Sequence, residues 1–394
     1  MTGKERILCA MRGERPDTIP WAPNINQWFY ANLFQKNLPA ELAACKTPIE
    51  VKQLLGAEIL TRWDGQIKGR GFPGELTRFR TCKLKVEFEG EPPPYPLITA
   101  FNTYTAGTKI HRSLETPYGT LRQTWRFTEE SCADFEEAYW WKDFEGEYDA
   151  VRAFFEDRSY DYEVADYEAT KAAVGEDGFV IQEIPENPLK AFHWLCGPER
   201  AILMVMDHGE RLKELIAIHT RKTCEFVQHL VDHTDARFFL SNDNLDAMLF
   251  PPYFFDEFLY DHYGAVADIV HSKGGYFMVH SCGNNVELAP CIKRCGIDCM
   301  EGLTPPPLGN FPLHEAHTRI SPDFVIMGGD SCHVQELFRE DGPRRIHAFV
   351  EELVHSLQGN PHFIHSSSCN TSPRTPWRNI VALRDAIRKY GRAG

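Results

Sequence analysis

Eight short, apolar, β-prone runs recur along this chain, and helix-period stretches separate most of them. They read "TIPWAPN" (18–24), "EILTRWD" (58–64), "GFVIQEI" (178–184), "ARFFLSN" (236–242), "GYFMVHS" (275–281), "IDCMEGL" (297–303), "DFVIMGG" (323–329) and "HFIHSSS" (362–368). Strands that alternate with helices pair in parallel. Eight of them predict an α/β fold of the closed (β/α)8 kind, a TIM barrel. An open doubly wound sheet is the alternative; it is disfavoured because no Gly-rich dinucleotide loop follows the first run.

The longest helical pattern spans 198–233 and the cleanest spans 375–391. In the latter, Thr375 is placed to cap the first turn and Pro376 suits it. Ile380, Val381, Leu383 and Ile387 form an apolar side, and Gly391 closes the end. The alternation breaks once, at 66–130. There "KLKVEFEG" and "TLRQTWRFT" alternate polar with apolar between the turn signals "GEPPPYP" and "TPYGT". This predicts an antiparallel β-ribbon inserted into a single barrel domain covering 1–394. An insertion of that length acts as a lid or a binding wall.

Composition narrows the function. With 43% apolar and 25% charged residues the chain reads as an ordinary globular enzyme. A formal charge of −14 argues against a nucleic-acid partner. The start, "MTGKERILCAMRGERPDTIPW", lacks an apolar signal core, and no run is long enough to span a membrane. A cytoplasmic location is the expectation. The twelve cysteines then read as reduced thiols. Cys291, Cys295 and Cys299 cluster, but no partner pair follows at finger spacing, so they are read as packing.

Most runs end in polar, ligand-type residues: Asn24, Asn26 and Gln27; Trp63 and Asp64; Glu183 and Glu186; Asn242, Asp243 and Asp246; His280 and Cys282; Glu301; Asp330; Ser368 and Cys369. In a barrel these ends converge on one mouth, where active sites sit. His280 and Cys282 are two apart and point to one side of a strand. Cys369 lies 87 residues beyond Cys282, at the end of the eighth run, and barrel closure brings it near. Imidazole and thiolates suit zinc, and three protein ligands with an exchangeable fourth mark a catalytic site. Glu301 is the candidate fourth ligand, or else a hydrogen-bonding carboxylate. A capped strand end beside a buried thiol is the alternative for His280 and Cys282. Cys332, His333 and His365 rank below Cys369 as ligands.

Four stretches carry a resemblance: "KERILCAMRGERPDTIPW", "HSCGN", the "GGD" at 328–330 and "SSSCNTSPRTPWRNIVAL". They resemble the uroporphyrinogen decarboxylase superfamily over essentially the whole chain. The H-x-C with a late Cys is similar to its zinc-dependent, corrinoid-linked methyltransferase branch. The resemblance implies zinc on His280, Cys282 and Cys369. Glu301 falls about where cobalamin-independent methionine synthase, a relative, has its glutamate ligand. It also implies a corrinoid (cobalamin) carried by a separate protein partner, since no D-x-H-x-x-G carrier motif occurs here. Where the decarboxylases carry an Arg-rich motif, this chain reads "NINQWFYANL", so porphyrinogen decarboxylation is disfavoured.

The expected activity is methyl transfer between a small substrate and a corrinoid protein, with O-demethylation of a methoxylated aromatic preferred. Glu183 is the expected general acid, with Asp330 beside it as a second catalytic carboxyl. Asn26, Trp28, Trp63, Asn242, Asp243 and Asp246 are the expected substrate contacts, though turn capping suits the Asn and Asp residues equally. Three alternatives stay open: a methylcorrinoid:thiol methyltransferase, a decarboxylase, and a non-catalytic barrel that binds a corrinoid protein. Assembly as a homodimer also stays open.

Overall fold

The structure is a computed structural model that describes residues 1–61, 77–90, 107–128, 133–160, 162–330, 340–357, 359–367 and 369–392. Trp63, Asp64, Cys332, His333 and Ser368 lie outside the described residues.

The strands in chain order are β1 (Ile59–Thr61), β2 (Thr77–Phe79), β3 (Lys83–Glu89), β4 (Lys109–Thr116), β5 (Gly119–Thr128), β6 (Ala133–Ala138), β7 (Arg158–Tyr160), β8 (Gly178–Ile184), β9 (Phe238–Ser241), β10 (Tyr276–His280), β11 (Cys299–Leu303), β12 (Val325–Asp330) and β13 (Phe363–Ser367). Seven of them form one curled sheet in the order β1-β8-β9-β10-β11-β12-β13, and every pairing is parallel.

The first expected strand, 18–24, does not form as an extended element. Trp21 makes only an isolated parallel bridge to His365. The Ala22 N–H donates to the His365 carbonyl at 2.9 Å, the His365 N–H to Pro20 at 2.8 Å, and the Glu58 N–H to Trp21 at 2.9 Å. Residues 20–22 therefore bond to both edges of the sheet, which requires the sheet to curl until β1 and β13 approach. Pro20 and Pro23 flank this segment and lack N–H donors, so a longer ladder cannot form there.

Side chains alternate across the sheet. Leu60, Ile181, Leu240, Met278, Cys299, Met327 and Ile364 form an inner apolar cluster, joined by Ile7, Ala10 and Met11 of the N-terminal helix. That helix, Gly3–Arg12, carries a capping box from Thr2 and Glu5. It closes the sheet at the amino ends of the strands. Phe239, Phe277, Val279, Met300 and Ile326 point outward into the large cluster under the surrounding helices. The helix at Pro198–His233 has the span its sequence predicts, with a kink at His208. The last helix runs Trp377–Tyr390, with Pro376 rather than Thr375 at its N-cap. Thr375 instead offers its carbonyl to Trp28 Nε1 at 2.7 Å.

The described part of the insertion is a four-stranded antiparallel sheet, β3-β4-β5-β6, so it extends to Ala138 rather than stopping at 130. "ADFEEA" shows little apolar alternation, which hides β6 in the sequence; it is recruited by backbone pairing across a register shift at Thr124/Trp125. β2 pairs with β7 and ties the insertion's base to the chain beyond helix Phe144–Asp157. No described helix is long and apolar enough to cross a membrane.

Candidate active site

His280 ends β10, and Glu301 stands opposite it in register on β11. Facing residues on adjacent parallel strands share a face, so the two side chains meet: His280 Nδ1 bonds Glu301 Oε2, and both residues are buried. Cys282 lies two residues on, accessible at the mouth. The chain around it is held. Ser281 N–H donates to the Glu301 carbonyl at 2.8 Å, and Ser281 Oγ donates to the Leu245 carbonyl at 3.1 Å. A Cβ at Gly283 would fall 2.2 Å from Asp246 Oδ2, so only glycine lets the loop after β10 pack on the loop after β9.

Cys369 arrives from the far edge of the sheet and hydrogen-bonds with both His280 and Cys282. Residues near the first bridge fix its loop. Thr371 N–H donates to the Asn24 carbonyl at 2.9 Å, Asn24 Nδ2 to Asn370 Oδ1 at 3.0 Å, and Asn32 Nδ2 to the Pro373 carbonyl at 3.1 Å. His280, Cys282, Glu301 and Cys369 thus form one connected cluster at the carboxyl ends of the strands.

Electrostatics follow from these contacts. Burial opposes a charged imidazole, but the Glu301 carboxylate and bonds to Cys369 and Glu301 outweigh it and raise the His280 pKa to about 9. Its bond to Cys369, burial and the neighbouring thiol's charge push the Cys282 thiol well up, while the Lys190 ammonium pulls it back.

Lys190 is a residue that sequence reasoning missed. It sits in helix Pro188–Cys196, directly after β8, with its Nζ 4.6 Å from the Trp194 ring centroid. Burial lowers its pKa, and Glu186, Cys282, Asp243 and Glu136 oppose that shift. Glu136 belongs to β6, and Trp194 stacks on Trp125 of β5 at 6.1 Å. The inserted sheet therefore reaches the rim of the mouth beside Lys190. Glu186 is the other underweighted residue: burial raises its carboxyl to about 7. The available signal for both was position, immediately after a barrel strand.

The other expected residues scatter. Glu183 is buried on the inner face of β8, two residues beyond Ile181. Asp330 is buried at the end of β12, opposite Ser367. Asn26 opens helix Asn26–Phe34, and its buried Oδ1 has no hydrogen-bond partner among the described residues. Asn242 is half-buried beyond β9. Asp246 accepts the Met248 N–H at 2.8 Å, a local turn contact. Asp243 is engaged by Asn187 N–H at 2.7 Å, Ser241 Oγ at 2.8 Å and Tyr263 Oη at 2.7 Å. Trp28 is core, stacked on Trp377 at 5.6 Å. His365 faces the side of β13 opposite Ile364 and Ser366; its ring nitrogens have no hydrogen-bond partner among the described residues, and burial lowers its pKa to about 3.

Among the described residues no group of three or more His, Cys, Asp or Glu side chains is spaced as a ready cage for a metal ion. The four clustered side chains hydrogen-bond to one another instead. Their donor set still fits zinc in kind: one imidazole, two thiols and a carboxylate, of which the thiols and the protonated imidazole need to lose a proton to become ligands.

A curled parallel α/β sheet with titratable groups at the carboxyl ends of its strands defines a barrel-type enzyme scaffold. The chain belongs to the uroporphyrinogen decarboxylase (URO-D) family, whose pattern matches residues 186–390. That stretch contains His280, Cys282, Glu301 and Cys369. Across its whole length the chain shares its fold with a methyltransferase from Methanosarcina mazei, at a TM-score of 0.61 and 16% identity, covering 99% of each chain. A D-tagatose 3-epimerase-like protein (TM-score 0.36, 12% identity, 58% of this chain and 83% of that one) overlaps too loosely to inform function. The same holds for a Bacteroides ovatus GH5 xyloglucanase (TM-score 0.35, 14% identity, 58% and 61%). No curated protein matches the chain in sequence.

Proposed function

We propose that the chain is a zinc-dependent methyltransferase that moves a methyl group between a small substrate and a corrinoid carried on a separate protein. A methoxylated aromatic is the preferred substrate, which makes the reaction an O-demethylation. The scaffold in this reading is a single (β/α)8 barrel whose first strand has contracted to residues 20–22. The observation that carries the proposal is the convergence of His280, Cys282 and Cys369, far apart in sequence, on Glu301 at one mouth.

His280, Cys282 and Cys369 would hold the zinc, with Glu301 as the exchangeable fourth group. When bound, zinc supplies Lewis acidity to the atom that gives up its methyl. Glu301 bonds His280 Nδ1; kept, that bond makes Glu301 the carboxylate that orients the ring, and only by giving it up does Glu301 become the fourth ligand. The Lys190 ammonium favours the thiolate form of Cys282. Glu186, poised near neutrality, can hold or release a proton at working pH. Glu183 and Asp330 remain the assigned catalytic carboxyls at the strand ends. Asn26, Asn242 and Asp246, with Trp63, are assigned to substrate contact. Trp28 and Asp243 act in support, because their polar atoms already hold the surrounding chain.

The test is anaerobic methylation of cob(I)alamin by the purified chain, offered methoxybenzoates, methylamines and methanol. Methylcobalamin formation from a methoxybenzoate, lost in Cys282→Ala, is the expected result. Transfer from methylcobalamin to a thiol, with no ether cleaved, would replace this reading with the thiol methyltransferase.

A further inference from the structure

A cavity of about 370 Å³ lies at the opposite end of the sheet from the donor cluster, where the N-terminal helix, the chain entering β1 and the last helix meet. Its size is that of a small-molecule site. Its charges are unevenly matched. Arg6 donates to Asp17 at 2.6 and 3.1 Å and to Glu58 at 3.0 Å, and Glu58 also accepts the Trp21 N–H at 2.6 Å. Both carboxylates lining the cavity are thereby engaged at Arg6. Arg388 and Arg392 also line it. Arg388 Nη2 donates to the Leu55 carbonyl at 2.8 Å, a neutral acceptor. Among the described residues neither Arg388 nor Arg392 pairs with a carboxylate. A Cβ at Gly56, whose φ is +60°, would fall 2.5 Å from Arg388 Nη2, so the bare turn makes room for the guanidinium. Thr18 also lines the cavity, and its buried hydroxyl has no hydrogen-bond partner among the described residues.

Two guanidinium groups without carboxylates, beside an unengaged hydroxyl, form an anion-recognising set inside a chain of net charge −14. A smaller cleft of about 100 Å³ adjoins it, sharing Ile19 and Arg392, and is walled by Pro16, Leu357, Phe363 and Tyr390. We infer that this end of the molecule binds a small phosphate-bearing compound, its phosphate held by Arg388, Arg392 and Thr18 and its apolar part directed into the adjoining cleft. The site lies at the other end of the strands from the mouth, so its test does not rest on the proposed methyl transfer.

Isothermal titration of the full chain at low ionic strength, with inorganic phosphate and with phenyl phosphate, tests this. Both should bind, phenyl phosphate more tightly. The Arg388→Gln/Arg392→Gln variant should weaken both by about tenfold or more, with its melting temperature unchanged. Should that variant unfold, Thr18→Val removes a phosphate contact while keeping the cavity's shape, and should weaken both anions. Absence of binding at millimolar anion, or undiminished binding in the variants, would overturn the site. Equal affinity for the two anions would overturn the role given to the adjoining cleft.

Discussion

Met278 and His280 stand two residues apart on one face of one strand, yet they answer to different demands. The same step separates Ile181 from Glu183, Cys299 from Glu301 and Ile364 from Ser366. The lower layer is apolar, buried and closed from beneath by Ile7 and Met11. Burying it stabilises the fold by about 25 cal/mol per Å² of apolar surface. The upper layer is nearly as buried but polar, which costs stability unless each group finds a partner. The buried His280 and Glu301 meet that cost by bonding to each other, and the more exposed Cys282 and Cys369 join them at the mouth. One layer holds the sheet together; the other carries the site proposed above.

The contrast breaks most visibly through the thiols. Cys282→Ala or Cys369→Ala should abolish bound zinc and methyl transfer while the melting temperature stays near wild type. Met278→Ala should do the reverse, costing about 2–5 kcal/mol in stability while each folded chain keeps its zinc. Metal analysis beside thermal melts separates the two, and full zinc in both cysteine variants would erase the distinction. Deleting the insertion at 66–138 should leave a folded, zinc-loaded barrel whose turnover falls about a hundredfold, because the rim beside Lys190, Trp125 of β5 and Glu136 of β6, is gone. Unchanged turnover would reduce the insertion to an assembly contact. Glu301→Gln should keep zinc on His280, Cys282 and Cys369 and weaken its affinity about tenfold, read by competition with a chelator.

The remaining effect, confined to neutral and alkaline pH, is a pH dependence at Glu186. Its folded pKa, about 7, lies above the ordinary 4.5 because burial disfavours the carboxylate. Its contribution to stability is therefore fully present below pH 4.5 and is lost as pH rises through 7. Glu186→Gln should gain up to about 3 kcal/mol over wild type at pH 8, with the difference vanishing near pH 4. A constant difference across that range would mean that Glu186 ionises freely in the fold.

Where periodicity was strong, the sequence disclosed the elements: 178–184 and 198–233 form with the predicted bounds. It misled where backbone chemistry overrode side-chain pattern. Pro20 and Pro23 confine the first strand to a bridge, and β6 forms from a run too polar to read as a strand. The juxtaposition of His280, Cys282, Glu301 and Cys369 was legible because His, Cys and Glu at strand ends are chemically distinctive. Lys190 was not: a lysine in a helix has no periodic signature, and its placement depends on how that helix leaves β8. Trp28 and Asp243 were overread for the converse reason, since their engagement with Thr375 and with Asn187, Ser241 and Tyr263 exists only in three dimensions.

Zinc K-edge absorption on the purified, substrate-free chain addresses the upper layer most directly. About one zinc per chain is expected, with two sulfur ligands at ~2.3 Å and nitrogen and oxygen at ~2.1 Å, the sulfur shell disappearing in the Cys282→Ala/Cys369→Ala double variant. A chain that takes up no zinc, or holds it with no sulfur in the first coordination shell, would contradict the assignment of His280, Cys282, Glu301 and Cys369 as a metal centre.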